Sequence, residues 1–239
     1  MEKNHHNALL IFARSPQIDR SNRDEPFTAL PWEDLDALFT AILGDVVQIA
    51  SQLPNVDVFL YQDQKQLSDD LRSPHRERIR SRQLSEGTLT EQIQTAVKDA
   101  FLEGYDNVVV LIENHPLVKL VPLERVFDQL TYEDDCIVIG PTVDGKAYLL
   151  GMKSNHAELF LQTDGDPLSK PALLMERLCA TEVILFPTHV TYSLDSASNL
   201  ARLKHDVEFL TLNKANPPQR THDIFKVFDK KYKARKAAR

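Results

Sequence analysis

Two kinds of hydrophobic pattern alternate along the chain: short continuous apolar runs, and longer stretches in which apolar residues recur every third or fourth position. Ala8–Ala13 (ALLIFA) is the first short run, and it ends in Arg14-Ser15-Pro16. That predicts a buried strand stopped by the proline. From Trp32 to Ala50, the residues Leu35, Leu38, Phe39, Ile42, Leu43, Val46 and Val47 fall on one helical face, and Pro54-Asn55 ends the helix. Val56–Tyr61 (VDVFLY) predicts a second strand. Thr88-Leu-Thr-Glu91 has capping-box spacing, so the hydroxyl can accept from the N–H of Glu91 while its carboxylate reaches back. Ile93, Ala96, Val97, Ala100 and Phe101 then share a helical face, and Gly104 is placed to end the helix. Val108–Ile112 (VVVLI) is apolar at every position, as a central strand covered on both faces must be.

Further on, the pattern predicts a short helix over Leu123–Leu130, strands over Cys136–Ile139 and Lys146–Met152, and a helix over Pro171–Cys179. A strand over Glu182–Phe186 and a short helix over Ser198–His205 complete it. Strands alternating with helices imply an α/β chain: a single doubly wound, mostly parallel sheet with helices on both faces. Three stretches break the pattern. Residues 15–31 read as a polar loop, and the charge-rich 62–82 as a mobile surface segment. After Leu212 periodicity is lost (NKANPPQRTHD). The expected organisation is therefore an α/β domain over 1–212 and a surface-draped or flexible basic tail over 213–239.

Composition narrows the function. A chain of 239 residues that is 42% hydrophobic can bury a sizeable core. A formal net charge of -7 excludes general nucleic-acid binding, which needs a basic surface. The basic end from Asp229 (DKKYKARKAAR) reads either as a solvated, frayed terminus or as a docking segment for an anionic partner. Only 7 glycines are present, few for a chain that brings backbone against phosphate. Cys136 and Cys179 each sit in an apolar run and read as free buried thiols. The apolar run near the N-terminus is too short for a signal peptide or a membrane span, so a cytoplasmic protein is expected.

In an open parallel sheet, ligands bind beyond the carboxyl ends of the strands. Four segments belong there: Arg14-Ser15-Pro16, Glu113-Asn114-His115, the turn at Asp144, and Asp195. Each has a structural reading too. Arg14 can pair with a surface carboxylate, Glu113-Asn114-His115 can simply end a strand before Pro116, and Asp144-Gly145 is a common hairpin signal. A hard cation at this edge would draw its carboxylates from Asp144, Glu113 and Asp195. Neither G-x-G-x-x-G after a strand nor G-x-x-x-x-G-K-[ST] occurs, nor does G-x-S-x-G. Rossmann dinucleotide binding, P-loop hydrolysis and elbow-type serine hydrolysis are thus disfavoured.

Four pieces of the sequence resemble a bacterial family of glycosyltransferase-like proteins, the radical-SAM/selenoprotein-associated transferase group of nucleotide-diphospho-sugar transferases. LLIFARSP is similar to its opening strand and Ala-Arg-x-Pro turn, EGTLTEQIQTAV to its Gly-Asp-Leu-Gly-x-Arg-Met helix start, and LDSASNL to its late Asp-x-Asp-Thr-x-x-Asp-Leu stretch. GPTVDGKAYLLGM, similar to Gly-Pro-x-x-Asp-Gly-Gly-Tyr-x-Leu-x-Gly, is the most specific match. The resemblance spans about Ala8 to Leu203 and implies a GT-A-like fold, a nucleotide or nucleotide-sugar partner, and magnesium or manganese. The site expected on that scaffold has Asp144 as a catalytic residue with Lys146, this chain's own residue, beside it as a catalytic cation, Arg14, Ser15 and Thr88 as nucleotide- or phosphate-binding, and Asn114, His115 and Asp195 as the metal edge.

The chain also departs from that pattern. Asp19 stands for a glycine and no Lys-Thr-Arg follows; Asn114 stands for the strand-end aspartate; Thr88, Thr90 and Gln92 replace aspartate, glycine and arginine; Lys146 replaces the second glycine; Ser193 replaces an aspartate. An amide oxygen can ligate a hard cation but brings no charge to the site. The expectation is a nucleotide-sugar-dependent, glycosyltransferase-like protein weakened or inactive at its metal and diphosphate site. Two alternatives stand beside it: a non-catalytic ligand- or protein-binding relative, and a nucleotidyltransferase acting on a small phosphorylated substrate.

Overall fold

The computed structural model describes residues 6–13, 30–62, 78–112, 117–132, 135–153, 156, 176, 182–194 and 196–237. Its centre is a seven-stranded sheet. The strands are β1 (Asn7–Phe12), β2 (Val56–Gln62), β3 (Ile79–Gln83), β4 (Asn107–Ile112), β5 (Cys136–Pro141), β6 (Ala147–Lys153) and β7 (Ile184–Pro187), in the order β3-β2-β1-β4-β6-β5-β7. All neighbours pair in parallel except β6, which runs antiparallel to both β4 and β5. The described helices are α1 (Trp32–Ala50), α2 (Leu89–Leu102), α3 (Leu120–Leu130), α4 (Ala197–Leu212) and α5 (Gln219–Ala237). The expected doubly wound, mostly parallel α/β sheet is what forms. Among the described residues, no helix is long and apolar enough to cross a membrane.

Strand alternation divides the apolar residues between two cores. From β1, Leu9 and Ile11 point to the face covered by α1, α3 and α5, while Ala8, Leu10 and Phe12 point to the face covered by α2. This is why ALLIFA and VVVLI carry no polar position: both of their faces are inside. Helix α2 starts as its sequence predicts. The N–H of Glu91 donates to Thr88 Oγ1 at 3.3 Å, and Glu91 Oε2 accepts from the Thr88 N–H at 2.7 Å. Gly104, at φ +93°, lets the chain leave the helix in a conformation other residues resist.

The structure corrects three expectations. Within the segment expected to be mobile surface, Ile79–Gln83 forms β3 and pairs with β2 from Val58↔Ile79 to Gln62↔Gln83. An edge strand needs little apolar material: Ile79 is its one buried residue, and Arg82 lies over the Phe59 ring while pairing with Glu103 at 2.7 Å. Charged side chains on an edge also discourage unwanted strand pairing. Second, the last helix runs from Ala197 to Leu212, longer than Ser198–His205, with Ser196 Oγ accepting from the Asn199 N–H. Third, the expected surface-draped tail is largely helix α5, packed on α1. Phe225 and Phe228, one turn apart, are buried in the core. Buried Asp45 of α1 accepts from the backbone N–H groups of Arg220 and Thr221 at 3.0 and 2.9 Å and from the Thr221 hydroxyl at 2.7 Å. Lys231 reaches Asp34 at 2.6 Å, and the Tyr232 hydroxyl donates to the same carboxylate. The expected helix over Pro171–Cys179 lies outside the described residues apart from Glu176. The expected strand over Glu182–Phe186 appears as Ile184–Pro187.

Candidate functional site

Strands β1 to β5 and β7 deliver their carboxyl ends to one side of the molecule, and the β5–β6 hairpin turns there. The turn is built by Thr142, whose carbonyl accepts from the Gly145 N–H at 3.0 Å and whose N–H donates to the Lys146 carbonyl at 2.8 Å. Gly145, at φ +78°, completes a tight turn with a bulge. Asp144 therefore sits on a hairpin, as the Asp-Gly signal predicts. Its carboxylate meets the Lys146 ammonium at 2.9 Å. Burial works to raise the Asp144 pKa, but hydrogen bonds from Thr142 and Lys146 and the lysine charge outweigh it, so the group is held below the usual carboxylate range.

GPTVDGKA also carries the glycine and lysine spacing of a phosphate-binding P-loop, with Ala147 in place of the hydroxyl residue. The P-loop needs a helix after the loop to aim backbone N–H groups at phosphate, and here a strand follows. The glycines of this block serve packing. A Cβ on Gly140 would come within 2.5 Å of the Tyr148 ring, and one on Gly151 within 3.2 Å of Leu130 and Val126 on α3.

A second polar group stands on the same side. After β7, residues 188–191 run on alongside β5: the Thr188 N–H donates to Ile139 at 2.8 Å, and the Thr191 N–H to Pro141 at 3.1 Å. The Val143 N–H donates to Thr191 at 2.9 Å, which ties this segment to the Asp144 turn. It carries His189, whose ring nitrogens lie 3.2 and 3.3 Å from the buried Tyr148 hydroxyl of β6. Burial raises the Tyr148 pKa. Desolvation, helped by the charge of Lys119 at the start of α3, lowers the pKa of His189, so its imidazole is neutral at pH 7.

Of the residues expected to form the site, the structure brings Asp144 and Lys146 together. Thr88 lies elsewhere. It lies beyond β3, four places from β6 in the sheet order, and its hydroxyl serves the α2 cap. Arg14, Ser15, Asn114, His115 and Asp195 lie outside the described residues. Among the described residues no group of three His, Cys, Asp or Glu side chains could hold a metal ion. The residues missed by sequence reasoning are Tyr148, His189 and Lys119. A signal existed for His189: in EVILFPTH it follows an apolar run directly, where a parallel strand would deliver it to the ligand side.

The family described as "Uncharacterized protein conserved in bacteria (DUF2064)" matches residues 46–164. No curated protein matches. Among solved structures, a protein from Desulfovibrio desulfuricans G20, provisionally described as a nucleotide-diphospho-sugar transferase, superposes with a TM-score of 0.69 at 18% identity, over 94% of this chain and 96% of its own. A cytidylyltransferase from Leptospira borgpetersenii gives 0.55 at 13% identity over 96% of both chains. The 4-diphosphocytidyl-2C-methyl-D-erythritol synthase of Anaerococcus prevotii gives 0.54 at 12% identity, over 84% of this chain and 95% of its own. At these identities the likeness is one of fold. Residues 46–164 are thus similar to the bacterial DUF2064 family, and the whole chain has the fold seen in the nucleotide-diphospho-sugar transferase-like structure.

Proposed function

We propose that this protein binds a nucleotide sugar at the carboxyl edge of its sheet as a glycosyltransferase-like protein, and that its metal and diphosphate site is weakened. The observation that carries the reading is the Asp144–Lys146 ion pair at 2.9 Å on the β5–β6 hairpin. The resemblance puts an aspartate followed by two glycines there, leaving the carboxylate open to metal or acceptor. In this chain a lysine stands on the carboxylate instead. Diphosphate charge has to be neutralised in such a reaction, by a metal or by Lys and Arg. Lys146 supplies one fixed cation, held in place by Asp144. Arg14 and Ser15 supply further contacts after β1. Asn114, His115 and Asp195 form the metal edge, without the aspartate charge that would make magnesium or manganese bind tightly.

The test is hydrolysis or transfer of nucleotide sugars, with and without each divalent metal, for the natural chain and for Lys146→Gly and Asn114→Asp. The reading expects slow or undetectable turnover in the natural chain, and a gain of metal-dependent turnover when both family residues are restored. If no nucleotide sugar binds to either protein, the reading fails. The non-catalytic alternative shares the binding and is separated from it by turnover. A nucleotidyltransferase reading draws on the cytidylyltransferase among the fold neighbours. It makes CTP the first triphosphate to try, with pyrophosphate release as the readout.

A further inference from the structure

The connectivity places the carboxyl end of α5 on the ligand side of the sheet. Helix α1 follows the carboxyl end of β1 and leads to the start of β2, which runs parallel to β1, so α1 begins at the carboxyl edge and ends at the opposite one. Its 19 residues span ~28 Å, against ~20 Å for the six residues of β1, so its first turn is long enough to reach the strand ends. Helix α5 lies antiparallel to α1. Thr221 near its start meets Asp45 late in α1, and Lys231 and Tyr232 near its end meet Asp34 in the first turn of α1. Helix α4 leaves the same edge, beyond the Thr191 segment tied to the Asp144 hairpin, and its Lys204 pairs with Asp229 of α5. The last turns of α5 thus stand at the edge that carries the Asp144–Lys146 pair.

Those turns are basic. Lys230 and Lys233 are exposed, one turn apart on one face, while Lys231 lies between them and reaches Asp34. Arg235, Lys236 and Arg239 follow in sequence. In a chain of net charge -7 this concentration of cations is local. Cations at a helix C-terminus also suit the macrodipole, but that benefit falls off within the last turn, and Lys230 stands about two turns before Ala237. A diphosphate at this edge carries more charge than Lys146, already shared with Asp144, can neutralise.

We propose that the carboxyl end of α5 is a phosphate-binding element, with Lys230 and Lys233 supplying cations to the phosphate groups of a ligand held at the carboxyl edge of the sheet. The contacts of Lys231 and Tyr232 with Asp34 hold this end of α5 in place. The phosphate chemistry follows from the charge of α5 and its place in the fold. That the phosphate belongs to a nucleotide sugar rests on the reading given under Proposed function.

The experiment uses the full-length protein and inorganic pyrophosphate as the probe. Binding is followed by calorimetry at about 0.15 M salt, where the ~8 Å Debye length screens diffuse attraction. A double variant, Lys230→Gln with Lys233→Gln, is compared with a charge-matched control, Lys214→Gln with Lys226→Gln, which removes one lysine from the α4–α5 connection and one from farther back along α5. All four lysines are exposed and Lys231 is left in place, so both variants keep the fold, and equal melting temperatures without ligand check it. Pyrophosphate should bind the natural chain and the control alike, and the Lys230/Lys233 variant roughly tenfold more weakly, equivalent to about 1.4 kcal/mol. In protein labelled at lysine Cε, the Lys230 and Lys233 resonances should move on titration and that of Lys214 should not. Absence of binding, equal weakening in the control, or indifference to the loss of Lys230 and Lys233 would overturn the proposal. UDP, GDP, CDP and ADP, titrated next, separate it from the nucleotide-sugar reading. Lysine-dependent pyrophosphate binding without nucleotide binding defeats that reading and leaves the α5 site standing. Nucleotide binding that ignores the two lysines defeats the α5 site alone.

Discussion

Gly140→Ala tests whether the GPTVDGKAYLLGM block is shaped by packing. Two effects oppose each other at this position. Alanine in a strand has less backbone entropy to lose than glycine, which favours the variant by about 0.5–1 kcal/mol. Against that, the added Cβ falls 2.5 and 2.7 Å from Cε1 and Cζ of Tyr148 and 2.9 Å from the Cβ of Leu149. Tyr148 is 2% exposed and cannot swing into solvent, and the Leu149 Cβ moves only with its backbone. Overpacking of this kind costs about 1–3 kcal/mol, with the upper half expected where no partner can yield. The net expectation is a loss of about 2 kcal/mol, read as a lower urea midpoint at unchanged slope. The His189 resonances should also shift, because the ring that must move is the one whose hydroxyl meets His189. Introducing the same change beside Tyr148→Val removes two of the three close contacts, so the pair should be coupled by about 1 kcal/mol or more. A Gly140→Ala protein as stable as the natural one, or more stable, would refute this reasoning, since only the propensity effect would then remain.

Three other outcomes follow from particular contacts. Asp45→Ala removes three hydrogen bonds at the start of α5 and strands the fully buried Thr221 hydroxyl, so a loss of about 3 kcal/mol is expected in urea, with lowered hydrogen-exchange protection across 219–232; a loss under about 1 kcal/mol would contradict the docking of α5. His189, lowered by desolvation and then by Lys119, should titrate by NMR below its ordinary value of 6.5, and a midpoint above 6.5 would count against its desolvated placement beside Tyr148. Because the unfolded chain takes up that proton first, the group's effect on stability is absent above the unfolded pKa and becomes a loss as pH falls below it. Lys146→Ala should move the Asp144 carboxyl back toward its ordinary value in an NMR titration, with a stability change under about 1 kcal/mol because the pair is partly exposed.

The fold was legible wherever burial was two-sided or a helix had its own punctuation. ALLIFA and VVVLI announced themselves by having no polar position, and α2 by Thr88, Glu91 and Gly104. The elements that were missed are held by partners distant in sequence. Strand β3 shows one apolar anchor, Ile79, and owes its place to β2 backbone and to Phe59 beneath Arg82. Helix α5 looks like a basic tail, because the carboxylates that receive its N-terminus and its lysine, Asp45 and Asp34, lie more than 170 residues away. The site was legible only in part for the same reason. Asp144 and Lys146 are two residues apart, so a local motif found them. Tyr148, His189 and Lys119 come from three elements, and no local spacing joins them. The antiparallel insertion of β6 between β4 and β5 is what brings them together.

The most direct measurement is a thermal-shift titration of the full-length protein with UDP, GDP, CDP and ADP and their sugars, each with and without manganese. Ligand at 100-fold excess over Kd stabilises the folded state by roughly 2.7 kcal/mol. The account predicts a shift for one base that persists without manganese and is lost in Lys146→Ala, because Lys146 supplies charge that a metal would otherwise bring. No shift with any nucleotide would contradict it, as would a shift that requires manganese and is indifferent to Lys146.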